Sequence, residues 1–425
     1  MSETVLVIGG GAREHALVWK LSQSPRKPKI ICAPGNPGIA PIAECANIGA
    51  EDLPSLLAFA KSMRPDLTIV GPDNPLAKGI VDMFQHVGLK IFGPNQKAAQ
   101  FEASKCFAKD FCLRHDIPTA RCATFTNADE ALGFSASLPY PQVIKADGLA
   151  LGKGVIIAQN AAEVRTAVDD MMIKRIFGGA GEKILIEEFM EGLEVSAHAF
   201  LDGKNYRMMP LAQDHKRIGE NNTGPNTGGM GTYSPVPFAD ASAEKLIAER
   251  IFDRFMAGCV AEEIDFKGVL FPGIMLTDRG PYVIEFNARF GDPETQSLMR
   301  RLDSDLLEII LACTQGSLSS QSIQWKDECA ATIVLASEGY PGVYKKGLPI
   351  TGIAEAEKNA AVKVFHAGTK LKEGVLVNSG GRVLSVSATG PSLPQALQTA
   401  YAAAEKISFE GKCLRRDIGF QSLSR

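Results

Sequence analysis

Four times in the first hundred residues, a short apolar run breaks into a glycine loop. Thr4-Val5-Leu6-Val7-Ile8 runs into Gly9-Gly10-Gly11, and Lys29-Ile30-Ile31-Cys32 into Ala33-Pro34-Gly35-Asn36-Pro37-Gly38. Leu67-Thr68-Ile69-Val70 meets Gly71-Pro72-Asp73, and Leu89-Lys90-Ile91-Phe92 meets Gly93-Pro94-Asn95. Helical periodicity separates the runs, as in residues 13–21. Strands that alternate with helices and end in glycine loops predict a doubly wound parallel sheet over residues 1–102, with ligands at the carboxyl ends of its strands. A dinucleotide is excluded, because Glu14 stands where the fingerprint needs its third glycine and the second strand ends without an acid for a ribose. Backbone amides of Gly10 and Gly11 at a helix start suit the phosphate of a sugar phosphate instead.

At 425 residues and 45% hydrophobic, the chain has material for about three domains. Its net charge of -3 and lack of a dense Lys/Arg run argue against nucleic-acid and membrane partners, leaving small anionic ligands. Nine cysteines without a Cys-x-x-Cys pair read as reduced thiols in a cytoplasmic protein. The start, Met1-Ser2-Glu3, has no basic signal region, and no apolar run reaches the roughly 18 residues of a membrane span.

Residues 103–325 carry most of the chemistry. A helix from 104 to 117 holds Lys105. Gln142-Val143-Ile144-Lys145-Ala146 and the strand at Val155 flank a glycine-rich stretch with Gly148, Gly152 and Gly154. The spacing to Lys153 is too short for a phosphate-binding Walker loop, and Gly154 replaces its hydroxyl. Glycines between two strands predict a flap, within a mobile subdomain at about 122–191, that closes over phosphates with its amides. Lys145 would then supply a fixed point charge. The run from Lys183 to Ser196 is a strand, a turn and a second strand. It reads as a plain acidic hairpin, or as a turn whose backbone just past the first strand reads an adenine edge while Glu194 accepts from ribose hydroxyls.

Asp214-His215-Lys216-Arg217 leads into a polar loop, 221–231, of a length and composition typical of functional loops. Lys216 and Arg217 suit an anionic substrate, and His215 is a positioning group or a general base. The densest segment is Glu285-Phe286-Asn287-Ala288-Arg289-Phe290-Gly291-Asp292-Pro293-Glu294-Thr295-Gln296. Tyr282-Val283-Ile284 before it favours a strand, so Glu285 and Asn287 share a face. A carboxylate beside an amide oxygen suits a hard cation that shares its other positions with phosphate and water. Residues 326–425 predict a small α+β unit with no chemistry of its own.

Taken together, two lysines flanking a glycine flap, an acidic hinge and a late Glu-x-Asn resemble the ATP-grasp superfamily. Five motifs in order extend the resemblance over essentially the whole chain to its glycinamide ribonucleotide synthetase family, the phosphoribosylamine–glycine ligases. They are the segments at Gly9–Ala16, Lys145–Ala150, Asp214–Arg217, Thr223–Gly231 and Arg289–Gln296. The resemblance implies a multidomain α/β and α+β chain with a central ATP-grasp fold. It implies joining of glycine to 5-phosphoribosylamine with ATP through a glycyl phosphate, in purine biosynthesis, by a monomer or weak dimer. Lys105, Lys145 and the flap would hold ATP phosphates, and Glu285 and Asn287 would carry Mg²⁺ or Mn²⁺. Glu187 to Phe189 would take the adenine and Glu194 the ribose. Gly10, Gly11, Asn36, Gly38 and Asp73 would face phosphoribosylamine, with Lys216 beside the substrates. Arg289 would meet the glycine carboxylate or the transferring phosphoryl group, and Asp214 or Asp292 the glycine ammonium. Two departures from the family pattern, Pro37 and Asp73, bear on the sugar contact. The rival readings are another ATP-grasp ligase or carboxylase, and a nucleotide-sensing binding protein without catalysis.

Overall fold

β1 (Thr4–Gly9) is central in the N-terminal sheet, paired in parallel with β2 (Lys29–Pro34) on one side. β3 (Glu44–Cys45) lies beyond β2, while β4 (Leu67–Val70) and β5 (Ile91–Phe92) complete the other side, in the order β3-β2-β1-β4-β5. The strand order reverses between β1 and β4, so the loops at Gly9–Gly11 and Gly71–Asp73 face one another across the switch point. The computed structural model describes residues 3–148 and 154–423. Among these, no helix is long and apolar enough to cross a membrane.

The flap sheet is antiparallel: β6 (Cys122–Phe125), β7 (Gln142–Ala146), β8 (Val155–Ala158) and β9 (Ile184–Glu188), in the order β6-β9-β7-β8. It hangs on the helix Lys105–Arg114, which is capped by the Ser104 side chain. A further sheet joins β10 (Leu193–Ser196), β11 (Ala199–Asp202) and β12 (Tyr206–Met208) with two long strands, β17 (Lys267–Thr277) and β18 (Gly280–Asn287). The β17–β18 register shifts after Gly273↔Glu285 to Ile274↔Val283, so Ile284 is one residue too many on β18. Such a bulge leaves the extra residue out of the ladder and turns its backbone elsewhere.

The third sheet crosses the boundary expected at 325. Its strands β19 (Cys329–Ser337), β20 (Val362–His366), β23 (Arg382–Gly390) and β24 (Lys412–Cys413) join β13 (Gln213–Asp214) and β16 (Gly231–Ser234), both from the central segment. Between β13 and β16 lies a small ribbon, β14 (Arg217–Gly219) with β15 (Thr223–Asn226). β21 (Thr369–Lys372) and β22 (Val375–Asn378) form a separate hairpin. The third sheet's two faces differ because side chains alternate. Thr332 and Ser387 turn hydroxyls toward Ser297 on the helix Glu294–Arg301, while Ile333 and Val386 pack with Leu397 of the helix Leu393–Lys406.

One apolar core unites all three units. It runs from Leu17 and Leu21 through Phe200, Phe290, Leu298 and Ile310 to Phe365. A second groups Phe101, Phe111, Phe255, Phe266 and Phe286 behind β18, with Phe101 and Phe255 centred 4.6 Å apart.

Candidate active site

The switch-point crevice is filled by a side chain. Glu14, buried on the first turn of the helix Ala12–Leu21, enters between Gly9 and Gly71. A Cβ at Gly9 would stand 2.4 Å from the Glu14 Cγ, and one at Gly71 would stand 2.0 Å from its Oε1, so both positions require glycine. Glu14 Oε2 accepts the Gly11 N–H at 2.7 Å, and Oε1 accepts from Arg13 Nε at 2.7 Å. The Gly11 amide, expected to serve a substrate, here donates to the side chain of its own helix. Asn36 is engaged within the protein in the same way. Its Nδ2 donates to Gly10 O and His366 O at 2.9 and 2.8 Å, and its Oδ1 accepts from the Gly38 and Ile39 amides. All four hydrogen-bonding places of that amide are occupied by the protein. Gly38 has no room for a side chain, since a Cβ would lie 2.4 Å from His15 and 2.5 Å from His366. Asp73 begins the short helix Asp73–Ala77 on the other side of the crevice.

Charge accumulates along β18. Glu285 and Asn287 lie on one face, flanking buried Phe286. Lys216 Nζ lies 2.5 Å from Glu194 Oε1 and 3.6 Å from Glu285 Oε1. Burial pushes the Glu285 carboxyl upward, but Lys216, Lys145 and Lys105 outweigh it and hold the group down at about 2. Burial likewise opposes the Lys216 charge, which Glu194 and Glu285 raise above its ordinary range. Arg289 donates to Asn287 Oδ1 at 3.2 Å and pairs with buried Glu102 at 2.8 Å. Among the described residues no group of three or more His, Cys, Asp or Glu could hold a metal ion. A cation here would rest on two protein oxygens, one ionised, and complete its shell with phosphate or water.

Opposite stands a buried triad. Glu187 is 2% exposed and pairs with Lys145 at 2.5 Å and Lys109 at 2.6 Å. Burial raises its carboxyl, yet the two lysines hold it below the usual range. Lys145 also reaches the carbonyl of Ile284 at 3.2 Å, the bulged residue of β18. Two cations on one carboxylate leave a net positive charge facing the site. The Glu187 side chain anchors two lysines, and its backbone lies between β6 and β7. Beyond it the Glu188 N–H donates to Arg121 O at 3.0 Å while its Oε1 accepts the Arg121 N–H at 3.1 Å, and Phe189 is 38% exposed. Lys105 Nζ donates to Gly148 O at 2.8 Å, and Asp147 accepts from Ser104 Oγ, tying the root of the flap to the helix. Gly154 precedes β8, whereas Gly152 lies outside the described residues.

At the far end of β18, Asp292 and Asp214 differ. Asp292 Oδ2 is 3.0 Å from Arg382 Nη2, and its Oδ1 accepts from Gln296 at 2.8 Å. Burial disfavours the Asp292 charge, but Arg382 and Arg13 hold it below the usual range. Asp214 makes no ion pair with a described residue, and burial together with Glu294 raises its carboxyl well above the usual range. His215 is not a base: Gly231 O lies 3.1 Å from its Nδ1, and its Nε2 accepts the Gly419 N–H at 3.0 Å. Burial holds its pKa at about 4.

The structure thus gathers Lys105, Lys145, Glu194, Lys216, Glu285, Asn287 and Arg289 around one face of β18. Sequence reasoning missed Lys109, Glu102, Glu294 and Arg382. Lys109 follows Lys105 by four residues and shares its helix face, a signal that was present. Arg382 carried none; it brings the third unit, in which no chemistry is expected, into contact with Asp292.

Family models for the N, ATP-grasp and C domains of phosphoribosylglycinamide synthetase match residues 3–102, 103–295 and 330–421. The phosphoribosylamine–glycine ligase of Caldanaerobacter subterraneus subsp. tengcongensis is 50% identical, over 97% of this chain and 99% of its own. That of Escherichia coli O6:H1 is 48% identical over 99% of each chain. The crystal structure of phosphoribosylamine–glycine ligase from Thermotoga maritima aligns with a TM-score of 0.86 at 32% identity, covering 98% of this chain and 100% of that one. A biotin carboxylase from Campylobacter jejuni shares the fold, at a TM-score of 0.75 and 14% identity.

Proposed function

The chain belongs to the phosphoribosylglycinamide synthetase family, and we propose that it joins glycine to 5-phosphoribosylamine, converting ATP to ADP and phosphate and yielding glycinamide ribonucleotide for purine biosynthesis. The observation that carries this reading is the convergence on β18 of a cation-ready pair, Glu285 and Asn287, with lysines at one end and Asp214 and Asp292 at the other. A nucleotide and an amino acid can meet across that strand.

A carboxylate is a poor electrophile, so it is first phosphorylated. A glycine carboxylate oxygen attacks the γ-phosphorus, the bond to the β,γ-bridging oxygen breaks, and ADP leaves. The amine nitrogen of phosphoribosylamine then attacks the carbonyl carbon of glycyl phosphate. The bond between that carbon and the phosphate oxygen breaks, its electron pair leaves with the phosphate, and the nitrogen loses a proton. Phosphoryl transfer needs positioning and charge neutralisation more than covalent help. Lys105 and Lys145 supply that charge, and Lys109 keeps Glu187 from cancelling it. Glu285 and Asn287 fit Mg²⁺ or Mn²⁺, which would neutralise phosphate oxygens when bound. Backbone groups at Glu188 and Phe189 receive the adenine, and Glu194 the ribose. Asp214, without an ion pair, takes the glycine ammonium in preference to Asp292, which already holds Arg382. Arg289 remains for the glycine carboxylate or the phosphoryl group. The sugar phosphate lies beside Gly10, Gly38 and Asp73. The protein works in the cytoplasm as a monomer or weak dimer.

The test is ADP release. It should require glycine and phosphoribosylamine together; turnover on bicarbonate without glycine would instead make the protein a carboxylase.

A further inference from the structure

The loop between β13 and β16 cannot hold itself by burial. Glu220 to Pro225 are exposed, and consecutive Asn221 and Asn222 adopt left-handed backbone at φ 54° and 55°. Such conformations persist only where surrounding contacts over-determine them. Part of that hold is local, in the β14–β15 ribbon with Arg217 Nη1 donating to Gly224 O at 2.7 Å and Thr223 Oγ1 to Glu220 O at 2.8 Å, and the rest comes from the other end of the chain.

At the near end of the loop stands Arg415, whose side chain is completely buried. Its Nε and Nη2 donate to the two oxygens of Asp417 at 2.8 Å each, a bidentate pairing. Its Nη1 reaches Arg217 O and Asn222 Oδ1, both at 3.1 Å. Asp417 Oδ2 also accepts the Asn221 N–H at 2.7 Å, and the Gly419 N–H is received by His215. At the far end, Arg382 Nη1 donates to Gly228 O at 2.5 Å and to Asp292 O at 2.9 Å. The Gly228 N–H donates to Tyr340 Oη at 2.9 Å. Next to the first fixed point stands Lys216, whose carbonyl accepts from Thr227 N at 2.7 Å and whose ammonium meets Glu194 and Glu285. Asp214 Oδ1 accepts the His215 N–H at 2.7 Å, immediately before the clasped turn.

We propose that the C-terminal unit is a two-point clamp on this loop, with Arg382 and Arg415 as positioning residues that set Asp214 and Lys216 against the substrates. The inference rests on the reading of Asp214 and Lys216 as substrate-side groups. The physical ground is that a polar loop with little apolar surface has no unique position unless polar contacts at both ends confine it.

Arg382→Met, Arg382→Lys and Tyr340→Phe in the full chain test it, Tyr340→Phe being a one-atom deletion that leaves Asp292 untouched. Losing a charged hydrogen-bond donor should raise the glycine KM of Arg382→Met about tenfold or more and lower kcat. Affinity for a non-hydrolysable ATP analogue should fall by less than that for glycine, because Lys105 and Lys145 are untouched and the clamp reaches the nucleotide side only through the pairing of Lys216 with Glu194 and Glu285. Arg382→Lys should recover part of the loss, and Tyr340→Phe should shift the glycine KM in the same direction by less. Hydrogen exchange over residues 214–231 should rise in Arg382→Met and in Tyr340→Phe. Unchanged exchange there overturns the clamp whatever the substrate. A fall in thermal midpoint with equal losses for glycine and nucleotide makes Arg382 merely structural and also overturns it. Should Arg382→Met fail to fold, Tyr340→Phe decides by the same two readouts. Failure of the wild type to use glycine would overturn the ligase reading, while loop exchange would still judge the clamp.

Discussion

Glu14 decides what the first domain is for. The Gly9-Gly10-Gly11 start looks like a dinucleotide loop, but a buried carboxylate occupies the space where a pyrophosphate would approach and takes the Gly11 amide. Glu14→Gly, which would restore the missing glycine, should leave buried Arg13 without its partner and destabilise the protein by about 3–5 kcal/mol in urea unfolding; a loss under about 1 kcal/mol would mean that Arg13 finds Asp292 instead. Glu285 is a different kind of acid, half-buried and held ionised at about 2, so no assay pH reaches it. Glu285→Gln should raise the Mg²⁺ concentration for half-maximal rate by at least about tenfold with little change in unfolding midpoint. Equal metal dependence in variant and wild type would remove the metal assignment. The type of residue at each of these positions was legible in the sequence. The engagement was not: Asn36 and Gly11 looked available because the groups that occupy them, His366 and Glu14, reach them only through tertiary folding or a helix cap.

Elements were the most legible level, because alternation and glycine punctuation are local. The four parallel strands, the flap strands around Lys145 and the β17–β18 hairpin all follow from pattern and turn chemistry. The bulge at Ile284 does not, since it appears only when β18 is laid against β17, and it is what turns a backbone carbonyl to Lys145. The loop ahead of β16 shows how an element transmits an error. Gly229 has φ +107°, and a Cβ there would lie 2.4 Å from Pro293 Cδ and 2.6 Å from Asp214 Oδ1. Gly229→Ala should therefore displace Asp214 and lower kcat/KM for glycine by about tenfold or more, given the sensitivity of reacting groups to small misplacements. Steady-state kinetics with glycine varied at saturating ATP would measure it, and a wild-type value would show that Asp214 is not a substrate group.

For the whole molecule, the cores tie three sequence units into one body, so charge buried in one is sensed by all. His198, His215 and His366 are held neutral by burial, at about 3, 4 and 4, and His15 lies well below its ordinary value for the same first reason. Each folded-state pKa lies under the unfolded value of about 6.5, so the unfolded chain binds more protons as pH falls and stability declines from about pH 6.5 down to about 4. Half-buried Glu102 and Asp214 and buried Glu294, raised by desolvation, oppose this trend in part. Urea midpoints from pH 7 to 4.5 should fall by more than one titrating group can account for; a flat profile would mean that the acids cancel the histidines. The chain's own letters determined the strand-and-glycine order, the cation-ready pair on β18 and the motif series that marks the family, because these depend on neighbours within a few residues. Tertiary structure alone decided that β13 and β16 complete the C-terminal sheet, that Arg382 reaches Asp292 and that Arg415 clasps the loop at Asn222. The two arginine contacts join residues 90 and 193 positions apart, and no local period records a partner at that distance.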